Sequence, residues 1–179
     1  MAKRFKLNIG DVFTIPLNEN EVGFGQCVTP HKKSSGGFVI AVYSFKESKD
    51  QNTDVSKIVN TEPIFLGFTF DALLCDLPKW KIVGNYIDNV CSLKLPYNRL
   101  GTPPDEIYLL NVNNERIAEI SEDIFKELTY KTEIAPIRYE NALKAHFGLQ
   151  EWKEEDYDKI LYKHTLRSNE IAKQVLSNA

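Results

Sequence analysis

The chain has 179 residues, of which 42% are hydrophobic and 26% charged, the balance expected of a soluble globular protein with a sizeable core. Its formal net charge of −3 supplies no basic field of the kind that nucleic-acid-binding proteins use. No apolar run is long enough to cross a bilayer, and no apolar segment follows the basic residues 1–6, so we expect neither a membrane span nor a secretory signal.

The cysteines indicate a reducing compartment. Cys27, Cys75 and Cys91 are odd in number and far apart in the sequence. We therefore expect reduced thiols that pack as small hydrophobic side chains, and a cytoplasmic protein.

The first predicted element is a β-hairpin. Residues 12–17 alternate in the period of two that is typical of a strand with one better-buried face, and the polar residues 18–21 form a turn of common hairpin length. The return strand, residues 22–28, contains two glycines, which often mark a bulge or the close approach of another segment. We expect Phe13 and Phe24 to anchor the buried face.

Further strands are predicted in the middle of the chain. Residues 38–45 are rich in β-branched and aromatic side chains and apolar enough for a strand buried on both faces. The other predictions for this part are an exposed loop at 46–57, strands at 64–70 and 80–86, a helical turn at 71–76 and an irregular connection at 93–105.

The second half is predicted to be mostly helical. A hairpin with Asn113 and Asn114 at its turn comes first, and a short helix capped by Ser121 runs to Leu128. Pro136 suits the first position of a second helix, which Gly148 closes. Its predicted buried side carries Ile137, Leu143 and Phe147, and a later helical stripe comprises Tyr157, Leu161, His164, Ile171 and Val175.

These elements predict an α+β fold, with an antiparallel β core (a sheet or a partly open barrel) followed by C-terminal helices. The expected division is a mainly antiparallel β domain at 1–130 and a helical segment at 131–179 that packs on it.

Three short motifs resemble a known family. They are GDVFTIPL at residues 10–17, VGFGQCV at residues 22–28 and WKIVGNY at residues 80–86. Together they resemble immunity protein family 26 of bacterial polymorphic toxin systems, over roughly residues 8–120. The resemblance implies a non-catalytic immunity protein whose partner is a cognate protein toxin. The mildly acidic charge makes a nuclease one candidate for that toxin, and charge, composition and motifs predict that the chain binds no cofactor, nucleic acid or membrane. The resemblance leaves the oligomeric state open.

Catalytic and metal-binding motifs are not apparent in the sequence. His31, His146 and His164 have no Cys, Asp or His at metal-ligand spacing. The chain has no nucleophile elbow, phosphate-binding glycine loop or dinucleotide fingerprint, and nothing near Cys27 or Cys91 would lower a thiol pKa. We therefore predict that the protein is not an enzyme and has no catalytic, cofactor-binding or metal-binding residue.

Two other functions stay open at this point. A hydrolase would need two carboxylates, or a Cys–His pair, converging in one deep pocket. A nucleic-acid-binding β-barrel would need exposed aromatic side chains beside a basic group made of Lys3, Arg4, Lys6, Lys32 and Lys33.

An acidic run near the C terminus is the candidate partner-binding site. Its acids suit either a solvated helix start or a docking surface for a basic partner. Its tryptophan suits either an interface anchor or a residue that packs the helical segment on the β core. The residues are Glu151, Trp152, Glu154, Glu155, Asp156, Tyr157 and Asp158. A weaker acidic set is Glu115, Glu119, Glu122 and Asp123, and further candidate anchors are Tyr43, Tyr86, Tyr97 and Tyr108.

Overall fold

The computed structural model describes residues 7–30, 37–70 and 80–177. The chain divides into two compact units. Unit 1 takes the residues up to Leu93 together with Glu133–Tyr162, and unit 2 takes Lys94–Thr132 and the residues from Lys163 onward. The folding domains expected from the sequence, 1–130 and 131–179, stay a prediction.

Unit 1 is built on an open five-stranded antiparallel sheet in the order β4-β3-β2-β1-β5. This arrangement confirms the predicted α+β class. Of the two predicted forms of the β core, it is the open sheet and not the partly open barrel. The strands are β1 (Asp11–Pro16), β2 (Glu21–Pro30), β3 (Gly37–Ser48), β4 (Pro63–Phe70) and β5 (Lys81–Asn85).

Unit 2 contains a three-stranded antiparallel sheet in the order β6-β7-β8. Its strands are β6 (Asn98–Leu100), β7 (Tyr108–Leu110) and β8 (Arg116–Glu119). The α-helices within the described residues are α1 (Val55–Val59), α2 (Glu122–Glu127), α3 (Pro136–His146), α4 (Glu154–Tyr157) and α5 (Tyr162–Ser177), with 3-10 turns at Val90–Ser92 and Asp158–Ile160. In the part of the chain that the structure describes, no helix combines the length and the apolar character that crossing a membrane requires.

The first hairpin forms as predicted. β1 and β2 pair in a register that places Phe13 opposite Gly25. The side chain of Asn18 holds the turn, because its Oδ1 accepts hydrogen bonds from the backbone N–H groups of Asn20 (2.9 Å) and Glu21 (2.8 Å).

The two glycines of β2 allow close packing on one face of the sheet, as the sequence predicted. A Cβ placed on Gly25 would lie 2.5 Å from Cε2 of Phe13, and one placed on Gly23 would overlap Leu143 of α3. Only hydrogen fits at either position. The absence of these side chains therefore lets Phe13 and α3 pack directly against the β2 backbone.

Both faces of this sheet are buried, which corrects the assignment of Phe13 and Phe24 to one face. Phe13 lies opposite Gly25, and successive residues of a strand point to opposite faces, so Phe24 points away from Phe13. Phe13 joins a core with Leu143 of α3, whereas the ring of Phe24 meets Phe45, with centroids 5.9 Å apart. Within the strand predicted at 38–45 to be buried on both sides, residues 38–43 are all buried, whereas Ser44 is exposed.

The predicted loop at 46–57 is shorter than expected. β3 extends to Ser48, and α1 begins directly after Asp54, whose Oδ1 accepts a hydrogen bond from the Ser56 N–H (3.1 Å). The predicted irregular connection at 93–105 contains β6. The helical turn predicted at 71–76 falls outside the described residues.

The predicted helical faces are correct only in part. α3 begins at Pro136 and buries Leu143, as expected, but Ile137 is 39% exposed and not on the buried side. The later stripe is interrupted because Leu161 leaves the helix to make an antiparallel bridge with Phe65 of β4. His164, which the stripe placed inside, is exposed.

The predictions for unit 2 are confirmed at the hairpin and the short helix. Asn114 takes a φ of 62° in the turn between β7 and β8, a conformation that asparagine tolerates. Ser121 Oγ accepts a hydrogen bond from the Ile124 N–H (3.4 Å) and so caps α2. The core of this unit contains Leu109, Phe125 and Ile171.

Candidate functional site

The cysteines that the structure describes offer no activated nucleophile. Cys27 is fully buried, and burial raises the pKa of its thiol to about 12, with the nearby Asp11 carboxylate adding to the shift. It is therefore protonated at neutral pH. Cys91 is exposed, which corrects the expectation that it packs in the core; its Sγ donates to the Asp88 carbonyl at 3.4 Å. Cys75 is outside the described residues.

A serine and a histidine meet near the end of α3. Ser44 Oγ lies 2.8 Å from Nε2 of His146, whose ring packs edge-on against Phe65 and Phe147. Partial burial lowers the pKa of His146. In the parts of the chain that the structure describes, no carboxylate hydrogen-bonds to this imidazole, so the pair lacks the third group that orients the histidine of a catalytic triad.

Metal ligands do not cluster within the described ranges. No group of three or more His, Cys, Asp or Glu side chains there is placed to hold a metal ion. His31 and the basic residues Lys3, Arg4, Lys6, Lys32 and Lys33, on which the nucleic-acid alternative depends, fall outside those ranges.

A cavity of about 700 Å³ opens beside the end of β1. Glu140, only 5% exposed, lies in its wall and makes an ion pair with Lys144, with 2.6 Å between Oε1 and Nζ. The Trp80 indole donates to the other carboxylate oxygen at 3.3 Å. A hydrolase would use two carboxylates here; Glu19 and Asp50 also line the cavity, but both are exposed, and the buried carboxylate of Glu140 is held in an ion pair by Lys144. The lining residues are Thr14, Pro16, Leu17, Asn18, Glu19, Val22, Lys49, Asp50, Lys81, Val83, Glu140 and Lys144.

The structure brings the candidate acidic residues together at α4, but they differ in availability. Glu151, Glu154 and Glu155 are exposed and form no ion pair with any residue that the structure describes. Asp156 pairs with Arg138, with 3.2 Å between Oδ1 and Nη1. Asp158 accepts a hydrogen bond from the Trp152 indole at 2.9 Å. Of the five acidic residues, Glu151, Glu154 and Glu155 are therefore the ones available to a partner.

The two aromatic side chains of this run point inward. The Trp152 ring stacks on Phe65 of β4, with centroids 6.2 Å apart and planes at 24°, and meets the Tyr157 ring edge-on at 5.4 Å. Tyr157 is 3% exposed, and its hydroxyl accepts a hydrogen bond from Gln150 (3.0 Å). These are the contacts of residues that pack a helical segment on a sheet.

The weaker candidates are dispersed. Glu115, Glu119, Glu122 and Asp123 are exposed in unit 2, where Asp123 faces Lys126 at 3.8 Å. Tyr43 is fully buried and cannot be an exposed anchor, whereas Tyr86, Tyr97 and Tyr108 are half-buried.

A feature that the sequence analysis missed is the turn that follows β5, residues 86–92, which we call the β5 turn. Ile87 in this turn is 56% exposed. Its neighbours Tyr86 and Asn89 are held by hydrogen bonds to the buried side chain of Gln26. Gln26 and Asn89 exchange two amide hydrogen bonds of 2.9 Å each, and Gln26 also donates to the Tyr86 carbonyl at 2.6 Å. The signal available in the sequence was Gln26, a polar residue in an otherwise apolar strand.

Comparison with known families supports the resemblance. A sequence model of the family described as immunity protein 26 matches residues 8–100, slightly more than half of the chain. The matched segment contains all five strands of the unit 1 sheet and the β5 turn, whereas residues 151–158 lie beyond it. Searches of curated proteins and of solved structures gave no match.

Proposed function

The chain belongs to the immunity protein 26 family, and from this membership we propose that it binds and neutralises one cognate protein toxin in the cytoplasm of the cell that makes both. The observation that carries the proposal is the family match, which spans the complete five-stranded sheet. The buried, protonated thiol of Cys27 and the neutralised carboxylate of Glu140 support inhibition by binding and not by chemistry.

A nuclease is the toxin class that the charge of the chain favours. The net charge of −3 and the free carboxylates of Glu151, Glu154 and Glu155 would attract a cationic protein. Enzymes that act on nucleic acid carry basic clefts, and an acidic inhibitor accelerates its own capture by such a surface.

Co-expression with the toxin tests the function itself. The toxin domain encoded next to this chain should stop growth when expressed alone, and co-expression of the chain should restore growth. The two proteins should also copurify. Continued growth arrest together with no copurification would refute the proposal, and a non-cognate toxin of the same activity is the control for specificity.

We propose the exposed carboxylates of Glu151, Glu154 and Glu155 as one docking surface, and charge reversal tests it. Reversal of Glu151, Glu154 and Glu155 to lysine should slow toxin association about tenfold or more at low salt, because charge acts mainly on the rate of encounter. The difference from wild type should shrink as salt is added. Stopped-flow association is the measurement, with reversal of Glu115, Glu119 and Glu122 as the matched control; unchanged kinetics in the first variant would exclude this surface.

A further inference from the structure

The β5 turn is held in place by buried polar side chains. Gln26 is fully buried on β2, and all four of its amide hydrogen-bonding positions are used: two bonds join it to Asn89, one to the Tyr86 carbonyl and one to the Tyr43 hydroxyl (2.7 Å). Asn89 also donates to the Val59 carbonyl at 3.0 Å, which ties the turn to the end of α1. Amide groups are costly to bury and are tolerated here because their hydrogen bonds are complete.

The backbone of the turn is fixed as well. The Tyr86 N–H donates to the Gly10 carbonyl at 2.9 Å, the Val90 N–H donates to the Ile87 carbonyl at 3.1 Å, and Ser92 Oγ donates to the Asn89 carbonyl at 2.6 Å. Ile87 is therefore exposed on a segment with a defined conformation. A rigid surface residue loses little conformational entropy on binding, which is the property that favours interface anchors.

Other apolar side chains are exposed next to the turn. Ile82 on β5 is 42% exposed, and Ile9, whose carbonyl accepts a hydrogen bond from Asn85 at the end of β5, is 39% exposed. Val83, the next residue of β5, is 45% exposed and lines the cavity beside β1. Of the ten large hydrophobic residues that are exposed in the described chain, three (Ile9, Ile82 and Ile87) lie in this short region. Clustering of this kind marks interaction surfaces more often than scattered exposed residues do.

We infer that the β5 turn and the adjoining edge of the sheet form a toxin-binding surface, with Ile87 as the anchor. This inference rests on the proposed function. The complementary toxin surface is an apolar pocket that takes up Ile87. A basic residue lies at the edge of that pocket, because Asp88 is exposed beside Ile87 and makes no ion pair with a described residue.

Position in the fold distinguishes this surface from residues 151–158. The β5 edge is one end of the sheet and β4, on which Trp152 packs, is the other, four strand spacings or roughly 19 Å away. The β5 turn lies inside the segment that matches the family, and residues 151–158 lie outside it. The proposed function rests on family membership. The β5 turn, which lies in the matched segment, is therefore favoured over residues 151–158 as the toxin-binding surface.

The test measures binding of the purified cognate toxin domain to two variants, Ile87→Ala and Ile87→Glu. Because the side chain is mostly exposed, both variants should keep the wild-type thermal midpoint. Ile87→Ala should raise the dissociation constant about tenfold or more, and Ile87→Glu should raise it further, because the pocket would have to take up a charge. Asp88→Lys should chiefly slow association.

The matched control is Leu176→Ala, which truncates a similarly exposed apolar side chain (48%) on α5, and its dissociation constant should stay at the wild-type value. Wild-type affinity in both Ile87 variants, with a toxin that the unmodified chain binds, would overturn the inference while the proposed function stands. A toxin that the unmodified chain does not bind would overturn the proposed function and this inference with it.

Discussion

Trp152→Ala should lower the free energy of unfolding by about 2–3 kcal/mol and leave toxin affinity unchanged. The substitution removes the stacking on Phe65, the edge contact with Tyr157 and the indole hydrogen bond to Asp158. Removal of a fully buried tryptophan costs about 3–5 kcal/mol, and the half-buried position of Trp152 lowers that figure. For a chain of this length the thermal midpoint should fall by about 5–10 °C.

Trp152→Phe is the matched control. It keeps a ring to stack on Phe65 but loses the hydrogen bond to Asp158 and part of the ring surface, so its midpoint should lie between those of the wild type and the alanine variant. Differential scanning calorimetry measures the thermal midpoint and toxin titration measures the affinity of the same samples. Together they distinguish a Trp152 that packs the helical segment on the sheet from one that anchors an interface. An unchanged midpoint with weakened binding would identify Trp152 as an interface anchor instead.

Gln26→Leu should lower the free energy of unfolding by about 3 kcal/mol or more, at least as much as Trp152→Ala does. Leucine fits the volume but removes the donor to Asn89 Oδ1, the donor to the Tyr86 carbonyl and the acceptor of the Tyr43 O–H. Asn89 Nδ2 keeps its bonds to the Val59 carbonyl (3.0 Å) and the Tyr43 hydroxyl (3.3 Å). Each unsatisfied buried group costs about 1–3 kcal/mol. The β5 turn should also loosen, so toxin affinity should fall although Gln26 itself is inaccessible to a partner.

Urea denaturation measures this effect, and Tyr43→Phe is the comparison. That variant removes one hydroxyl from the cluster and should cost about 1 kcal/mol. If Gln26→Leu costs no more than Tyr43→Phe, the amide pair does not stabilise the turn.

The sequence predicted the β elements well because their signals are local. The alternation at residues 12–17, the polar turn and the asparagine pair at 113–114 each determine backbone conformation within a few residues. The assignment of Phe13 and Phe24 to one face failed for a non-local reason. Alternation separates the faces of a strand but does not show that helices and loops cover both of them.

Tertiary contacts also explain the errors in the helical half. Leu161 fits a helical stripe by spacing, but its bridge to β4 takes it out of the helix. The acidic run was found because charge is visible in the sequence, whereas the partners of Asp156 and Asp158 come from the folded chain. The exposure of Ile87 could not be predicted, since an isoleucine after a strand is usually buried.

The glycines of β2 restrict which substitutions this protein can tolerate. Any single-nucleotide change of a glycine codon that alters the residue adds at least a Cβ, and at positions 23 and 25 that atom would collide with Leu143 or Phe13. Substitution at these two positions would therefore disturb the packing of Phe13 and α3 on the sheet. Substitution of exposed residues such as Ile87 and Asp88 leaves the packing of α3 on the sheet intact, so the toxin-binding surface that we propose is open to change where the β2 glycines are not.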